Sequence, residues 1–511
     1  MPEKLLLDKS NMTLASYHRT IGATEKEISS SRVIYVKRAN QWNAKPVAHL
    51  SQRLSPSLTM EMLKILADNT TNSEEKKKIQ DVFRNIKESL NIRLQEAQKL
   101  AAYIVEKVYE IPITVSALEV QGYILPSAKL FTRNNQQVNK VAQVRQKGCA
   151  RIGETNFGCL NLYNNAPKYP QEVAKCLRDI AKNSQVEINI DFYCTQQDFP
   201  QGDLDRKMFW QTWSSQGIKT VLVVMPWSSP ESKQKIRIEA LQAGIATQFI
   251  VPIPKANEQK AINVALGLLC KAGWQPVYLE PLKDPEVADL IIGFDTGTNR
   301  ELYYGASAFA VLADGQSLGW ELPDVQRGET FSGQAIWQTV SKLLLKFHGL
   351  CNRYPQKLLL MRDGLVQEGE FEPTIKALEE KNITVDVLSV RKSGTGRMGR
   401  KIQEGEYRDA EMGSVFFMPQ EKSFMVVTSK PVSNTIGSAR PLRVVHEYGN
   451  TPLNVLALQT YHLTQLHPAS AYQACRLPWV LHFADKSSKE FQRIGQMSIL
   501  QNISREKLIS V

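Results

Sequence analysis

The 511-residue sequence predicts an α/β protein, with two α/β blocks behind a mixed α+β N-terminal stretch. Three observations predict it. From about residue 165, strand-like runs rich in Val and Ile alternate with helical stretches, and Gly244 and Gly273 close two of those helices, the pattern of a mostly parallel sheet. From about residue 289, three strand-like runs precede a helix, strand, helix, strand series. A chain of this length also exceeds what one hydrophobic core can hold, so roughly three or four domains are expected.

Composition narrows the class. With 42% hydrophobic and 22% charged residues the chain is globular. Its 63 Lys and Arg against 51 Asp and Glu, a net charge of +12, favour a polyanionic partner. Seven scattered cysteines without a CxxC argue for a reducing compartment and against a disulfide framework or zinc ribbon. No run approaches the ~18 apolar residues of a membrane span, and the first twenty residues carry charges throughout, so a cytoplasmic protein with no membrane partner is expected.

Taken in order, residues 1–57 are mixed and contain one alternating strand, RVIYVKR (32–38). Residues 58–164 form a connector. Its first half has apolar residues at three and four spacing in two helices, with NTTNSEE interrupting them and capping the second. Its second half is short strand-like pieces, ITVSALEV and GYILP, and a basic loop, TRNNQQVNKVAQVRQKG. Residues 165–278 hold the first α/β block: helix PQEVAKCLRDIAKNS, strands VEINIDFY and TVLVVMP, helix SPESKQKIRIEALQAG, strand TQFIVP and helix EQKAINVALGLLCKAG. Residues 279–511 hold the second. There DLIIGFD, LYYGASAFAVLAD and SLGWEL lead into helix SGQAIWQTVSKLLLKFHG, strand KLLLMRD, helix EPTIKALEEK and strand ITVDVLSVRK, the order of a ribonuclease H-like fold.

Asp295 ends the apolar run LIIGF and Asp363 ends LLLMR. Carboxylates at the ends of buried strands stand on a rigid frame where two can converge on one cation. Hard oxygen ligands suit Mg²⁺ or Mn²⁺ and not zinc, and two such ions can activate a water against a phosphodiester. Near the C-terminus, RLPWVLHFADKSSKEF (476–491) offers His482 and, three residues later, Asp485. On a helix these share a face, and His is the commoner metal ligand.

Residues 285–511 resemble the PIWI domain of Argonaute proteins, on IIGFDTG (291–297), Glu329 in QRGETFSG, LLLMRDG (358–364), GSARPLRVVHEYGNTP (437–452), LTQLHPAS (463–470) and LPWVLHFADK (477–486). The resemblance implies a nuclease tetrad of Asp295, Glu329, Asp363 and Asp485, with Glu321 and Asp324 as nearby competitors for the second place. His482 falls where the family often carries an aromatic, which implies a packing role. Arg440 and Arg443 are implied nucleic-acid backbone contacts, and RKSGTGRMGRK (391–401) reads equally as a phosphate-contacting loop or a solvated basic turn.

Upstream, residues 165–278 resemble the Rossmann-like MID domain that holds a guide 5′-phosphate. The family's positions fall on Lys233, Arg237, Gln248 and Lys271; Lys233 replaces the common stacking Tyr, and Arg237 replaces Lys. Lys233 and Arg237 share a helical face, and cations with amide donors suit an anion. The C-terminal Val511 carboxylate is implied to help hold a cation there. Residues 1–57, with LASYHRT and KPVAHLSQRLSPSLTMEML, resemble the back part of a PAZ domain, followed by the second linker; the amino-terminal domain and the front of PAZ have no counterpart, which puts a full pocket for the guide 3′ end in doubt. The resemblance thus implies a monomeric prokaryotic-type guided endonuclease using Mg²⁺ or Mn²⁺, two ions in the catalytic site, with a DNA guide and DNA target preferred over RNA. Two alternatives stay open: guide-dependent binding without cleavage, and an unguided ribonuclease H-like nuclease.

Overall fold

The computed structural model describes residues 5, 12–20, 23–36, 47–54, 60–86, 90–110, 119–163, 170–225, 230–251, 257–298, 303–322, 330–429, 440–472, 475–494 and 501–508. They fall into two compact units, Met1–Glu88 and Ser89–Val511.

In the first unit, helices Leu14–Thr20 and Glu25–Ser30 precede an antiparallel pair, Val33–Val36 with Val47–Leu50. The expected strand is therefore present. Thr24 and Glu27 form a reciprocal cap at the second helix, and Leu14, Ala15, Ile28 and Leu50 make a small core. Helices Met60–Asn69 and Ser73–Ile86 follow.

The second unit begins with helix Leu90–Tyr109. Most of ITVSALEV lies outside the described residues, while GYILP yields strand Tyr123–Ile124. The expected basic loop is instead ordered. Leu130–Thr132 pairs with Gln136–Val138 and with Tyr278–Leu279, and a short helix, Val144–Lys147, follows. The reason is an apolar residue every few positions beneath the polar ones: Leu130, Val138, Val141 and Val144 are all buried in the core.

The first α/β block has a four-stranded parallel sheet built from β1 (Asn156–Asn161), β2 (Asn189–Thr195), β3 (Thr220–Val224) and β4 (Ala246–Ile250), in the order β2-β1-β3-β4. Helices α1 (Gln171–Asn183), α2 (Asp203–Ser215), α3 (Pro230–Gln242) and α4 (Glu258–Lys271) connect and flank it. Two elements exceed the sequence expectation. Strand β1 lies wholly before residue 165, so the sheet extends further upstream, and α2 lies where no helix was expected. They pack on each other: a Cβ on Gly158 of β1 would stand 2.7 Å from the Trp213 ring of α2, so only glycine fits beneath that indole.

The second block is organised by β5 (Leu290–Thr298), β6 (Tyr303–Leu312), β7 (Ser317–Glu321), β8 (Lys357–Asp363), β9 (Thr384–Arg391), β10 (Ser414–Met418), β11 (Ser423–Val426) and β12 (Leu442–Tyr448). The sheet order is β7-β6-β5-β8-β9-β12-β11-β10, with Tyr123–Ile124 added at the last edge. The β5, β8 and β9 strands run parallel, with α5 (Gly333–Cys351) and α6 (Glu372–Glu379) in the expected places and α7 (Leu453–Gln465) and α8 (Trp479–Ile494) closing the chain.

Alternation along the strands assigns the faces. Leu290, Ile292, Phe294, Leu358 and Leu360 pack with α5 residues such as Ile336 and Leu343. Ile291, Leu359 and Met361 face the opposite way, into the core that includes Val480 and Phe483 of α8. On that second face, a Cβ on Gly293 would lie 2.7 Å from the Val480 carbonyl carbon. The backbone of α8 thus lies directly on β5. Among the described residues, no helix is long and apolar enough to cross a membrane.

Candidate functional site

The face covered by α8 carries the acids. Phe294 of β5 pairs with Arg362 of β8 in parallel register, so Asp295 and Asp363, the next residues, emerge side by side. Asp485 on α8 comes down over them. One carboxylate oxygen from each of the three lies within 4.8 Å of the others. Asp295 and Asp363 are each 7% exposed, a burial that isolated carboxylates do not tolerate.

The neighbours show how the charge is carried. Lys392, directly after β9, donates from Nζ to Asp363 Oδ2 at 2.6 Å and to Asp485 Oδ1 at 3.1 Å. Lys489 donates to Asp485 Oδ2 at 2.6 Å, and Ser488 Oγ donates to Asp295 Oδ2 at 2.5 Å. Burial, then the Asp363 charge, pushes Asp295 up to about 7. Burial likewise raises Asp363, against the pull of Lys392. Asp485 is also desolvated, yet Lys489 and Lys392 together hold it below the usual range. Three acids thus crowd one small volume, and an ammonium bridges two of them.

His482 is outside this cluster. Its ring stacks on Trp479 with centroids 6.1 Å apart and meets His467 at 5.0 Å. Asp485, and not His482, joins the strand acids. Glu329 and Asp324 lie outside the described residues. Glu321 is engaged elsewhere, accepting from Lys346 at 2.8 Å. Phe331, two residues after Glu329, is fixed against the α5-side core: its N–H donates to Glu370 at 3.0 Å, and its ring lies under the Arg362 guanidinium at 4.7 Å.

Cations gather in the first block. Lys271, 1% exposed at the end of α4, donates to Gln248 Oε1 of β4 at 2.8 Å. Burial, then the nearby Arg237 charge, lowers Lys271 to about 7. Lys233 and Arg237, one turn apart on α3, both stand over the Phe249 ring, at 5.2 and 5.1 Å. Arg237 is also paired with Glu490 of α8. A cavity of ≈ 530 Å³ opens beside Gln248, with Gln259, Asn263 and Gly267 on one wall and His467 and Lys486 on the other. Lys271 thus meets Gln248 within reach of the Arg237 charge, Lys233 shares the Phe249 ring with Arg237, and Gln248 is the one of these four that lines the cavity; sequence reading missed Phe249, Glu490 and Lys486. Val511 lies outside the described residues, but the segment just before it is held in place: Asn502 donates to the Gln242 carbonyl at 2.7 Å, and Trp320 Nε1 donates to the Lys507 carbonyl at 2.8 Å.

A basic surface borders the acids. Arg443 on β12 pairs with Glu421. Arg440 lies close enough to Arg397 and Arg476 for their like charges, after burial, to lower both guanidinium groups. Arg476 donates to the Lys392 carbonyl at 2.8 Å, which joins this patch to the acid cluster. Of RKSGTGRMGRK, Arg391 ends β9 and residues 399–401 enter a hairpin, Gly399–Gln403 against Glu406–Asp409.

Fold and site together define a class: a parallel α/β block bearing a cationic pocket, joined to a ribonuclease H-like sheet bearing three converging acids. The comparisons are specific within it. The Argonaute PAZ domain family matches residues 1–56. The chain is 66% identical over 514 residues to the protein argonaute of Synechococcus elongatus, covering 100% of this chain and 70% of that protein. It is 31% identical over 519 residues to the protein argonaute of Thermus thermophilus, covering 100% and 69%. The chain belongs to the Argonaute family. Clostridium butyricum Argonaute, solved bound to a guide DNA and a 19-mer target DNA, shares the fold with a TM-score of 0.71 at 18% identity, covering 98% of this chain and 70% of that one.

Proposed function

We propose that the chain is a guide-directed endonuclease that binds a short 5′-phosphorylated guide strand and hydrolyses a complementary target strand. The observation that carries the reading is the convergence of Asp295, Asp363 and Asp485 within 4.8 Å on the ribonuclease H-like sheet. The donor set fits Mg²⁺ or Mn²⁺: three hard oxygens, two of them nearly buried, already attract the resident Lys392 ammonium. Those three acids, with Glu329 as the fourth, would hold the ions. Bound there, the metal would supply an activated water and charge stabilisation for the leaving oxygen. Water attacks the target phosphorus, the bond from phosphorus to the 3′-oxygen breaks, and that oxygen takes a proton, leaving a 3′-hydroxyl and a 5′-phosphate.

Lys233, Arg237, Gln248 and Lys271 would grip the guide 5′-phosphate, with Val511 helping to hold a further cation there. Arg440, Arg443, Arg397 and Arg476 would neutralise the strand backbones. A DNA guide and DNA target are supported by the Clostridium butyricum relative of the same fold, whose solved complex holds both. Base pairing reads the sequence, and the protein holds the phosphates.

One observation favours a second reading, guide-directed binding without cleavage: Lys392 already neutralises two of the acids. The deciding experiment combines protein, Mn²⁺, a 5′-phosphorylated guide and a labelled complementary target, with Asp363→Ala in parallel. A single cut at a fixed distance from the guide 5′ end, absent from the variant, is expected. Tight guide binding with an uncut target establishes the second reading instead.

A further inference from the structure

The turn after α7 and the first turns of α8 bring together three groups that the proposed nuclease chemistry does not use. One ring nitrogen of His467, one of His482 and the Cys475 sulfur lie within 4.8 Å of one another. Backbone contacts fix their positions: the Cys475 N–H donates to the Thr464 carbonyl at 2.8 Å, and the His482 N–H to the Pro478 carbonyl at 2.9 Å. Trp479 packs against both imidazoles, at 5.7 and 6.1 Å.

What these groups lack is as informative. His467 Nδ1 and His482 Nε2 are both buried without a hydrogen-bond partner among the described residues. The Cys475 thiol, 2% exposed, has only a long contact of 3.7 Å to the Leu466 carbonyl. Buried polar atoms left unpaired are costly, and both imidazoles of this cluster carry one.

We propose that His467, Cys475 and His482 form a zinc site with three protein ligands and a fourth position open to solvent. Two imidazoles and a thiolate are the donors zinc prefers over hard cations. Zinc bonds of about 2.0–2.1 Å to nitrogen and about 2.3 Å to sulfur place ligand atoms about 3.3–3.7 Å apart, so the cluster needs only a small inward adjustment. Burial keeps both imidazoles neutral, with His467 lowered to about 3 and His482 to about 4, which is the form that ligates. The thiol is raised by burial. Binding breaks its S–H bond, sends that proton to solvent and leaves a thiolate on the metal. The exposed Lys486 ammonium opposes a cation here, and the thiolate charge offsets it. His467 lines the ≈ 530 Å³ cavity beside Gln248, which supplies the entry path and the fourth position. The site is separate from the acid cluster, although His482 and Asp485 are neighbours on α8.

The test uses the full chain without a histidine tag, equilibrated with zinc and passed through a desalting column before elemental analysis. One zinc per chain is expected, retained in Asp295→Ala/Asp363→Ala and reduced at least about tenfold in Cys475→Ser, where the thiolate ligand is removed. Equal zinc in the parent and Cys475→Ser, or none in either, overturns the proposal. Should Cys475→Ser fail to fold, cobalt added to the unaltered protein decides: a thiolate-to-cobalt absorption band supports the site, and its absence removes it.

Discussion

The acid cluster and the cationic pocket are mirror images in charge. Each concentrates one sign of charge in a nearly dry volume, and burial moves the titrations in opposite directions: Asp295 up to about 7, Lys271 down to about 7. Each is also tempered by a group from another element, Lys392 bridging Asp363 and Asp485, and Glu490 pairing Arg237. The difference is in exposure. Lys392 follows a strand end and is 37% exposed in its side chain, whereas Glu490 is on α8 and 12% exposed. The acid side is held by a partly exposed counter-charge, the cation side by a mostly buried one. In the proposed reading the first arrangement suits a site that admits cations, and the second a site that grips one phosphate.

The largest break in this symmetry is expected from Asp485→Ala, which removes a carboxylate from the acid side alone. Target cleavage should fall by about three orders of magnitude, while guide affinity measured by titration stays level. A parallel loss of guide binding would merge the two sites into one. Next is Lys271→Met, which should weaken binding of a 5′-phosphorylated guide by about 10- to 100-fold, the scale of a charge-assisted hydrogen bond of about 1.5–3 kcal/mol. Binding of a 5′-hydroxyl guide should change little.

A pH series sharpens the same point. In the proposed reading the ammonium form of Lys271 meets the guide phosphate, and its pKa is depressed to about 7. As pH rises through 7 the free chain loses that charge, so phosphorylated-guide affinity should fall by up to about tenfold per pH unit above that value. Lys271→Met should flatten the slope, and affinity rising with pH would contradict the assignment. The smallest effect is expected from His482→Phe, with cleavage within about threefold of the parent, because its ring is in the Trp479 and His467 stack and not among the acids. A total loss there with Asp485→Ala active would shift the metal register by one helical turn.

Much of this was legible in the sequence, for a physical reason that varies by element. Asp295 and Asp363 each end an apolar run, so strand period and polarity marked both, and the parallel register then made them neighbours. Asp485 needed the family pattern, since on its helix His482 had equal standing. Lys392 carried no local signal: a lysine after a strand becomes a bridge only when two distant acids fold around it. Strand β1, NFGCLN, has a glycine inside and Asn at both ends, which weakens its strand signal. Helix α2 mixes Phe209, Trp210 and Trp213 with charged residues in a short stretch. Gly158 explains both misses, since the missing side chain of one element is the space filled by the other.

Helix α8 carries Asp485 to the acids, Lys486 to the cavity and Glu490 to Arg237. With a rise of about 1.5 Å per residue, it works as a ruler whose graduations are covalent. The spacing between Asp485 and Glu490, one engaged at each cluster, is then set along a single helix whose backbone lies on Gly293. Lengthening that rod by a single residue between Asp485 and Glu490 would turn one end by about 100° against the other, so Ser488 and Lys489 could not stay on the acids while Glu490 stayed on Arg237.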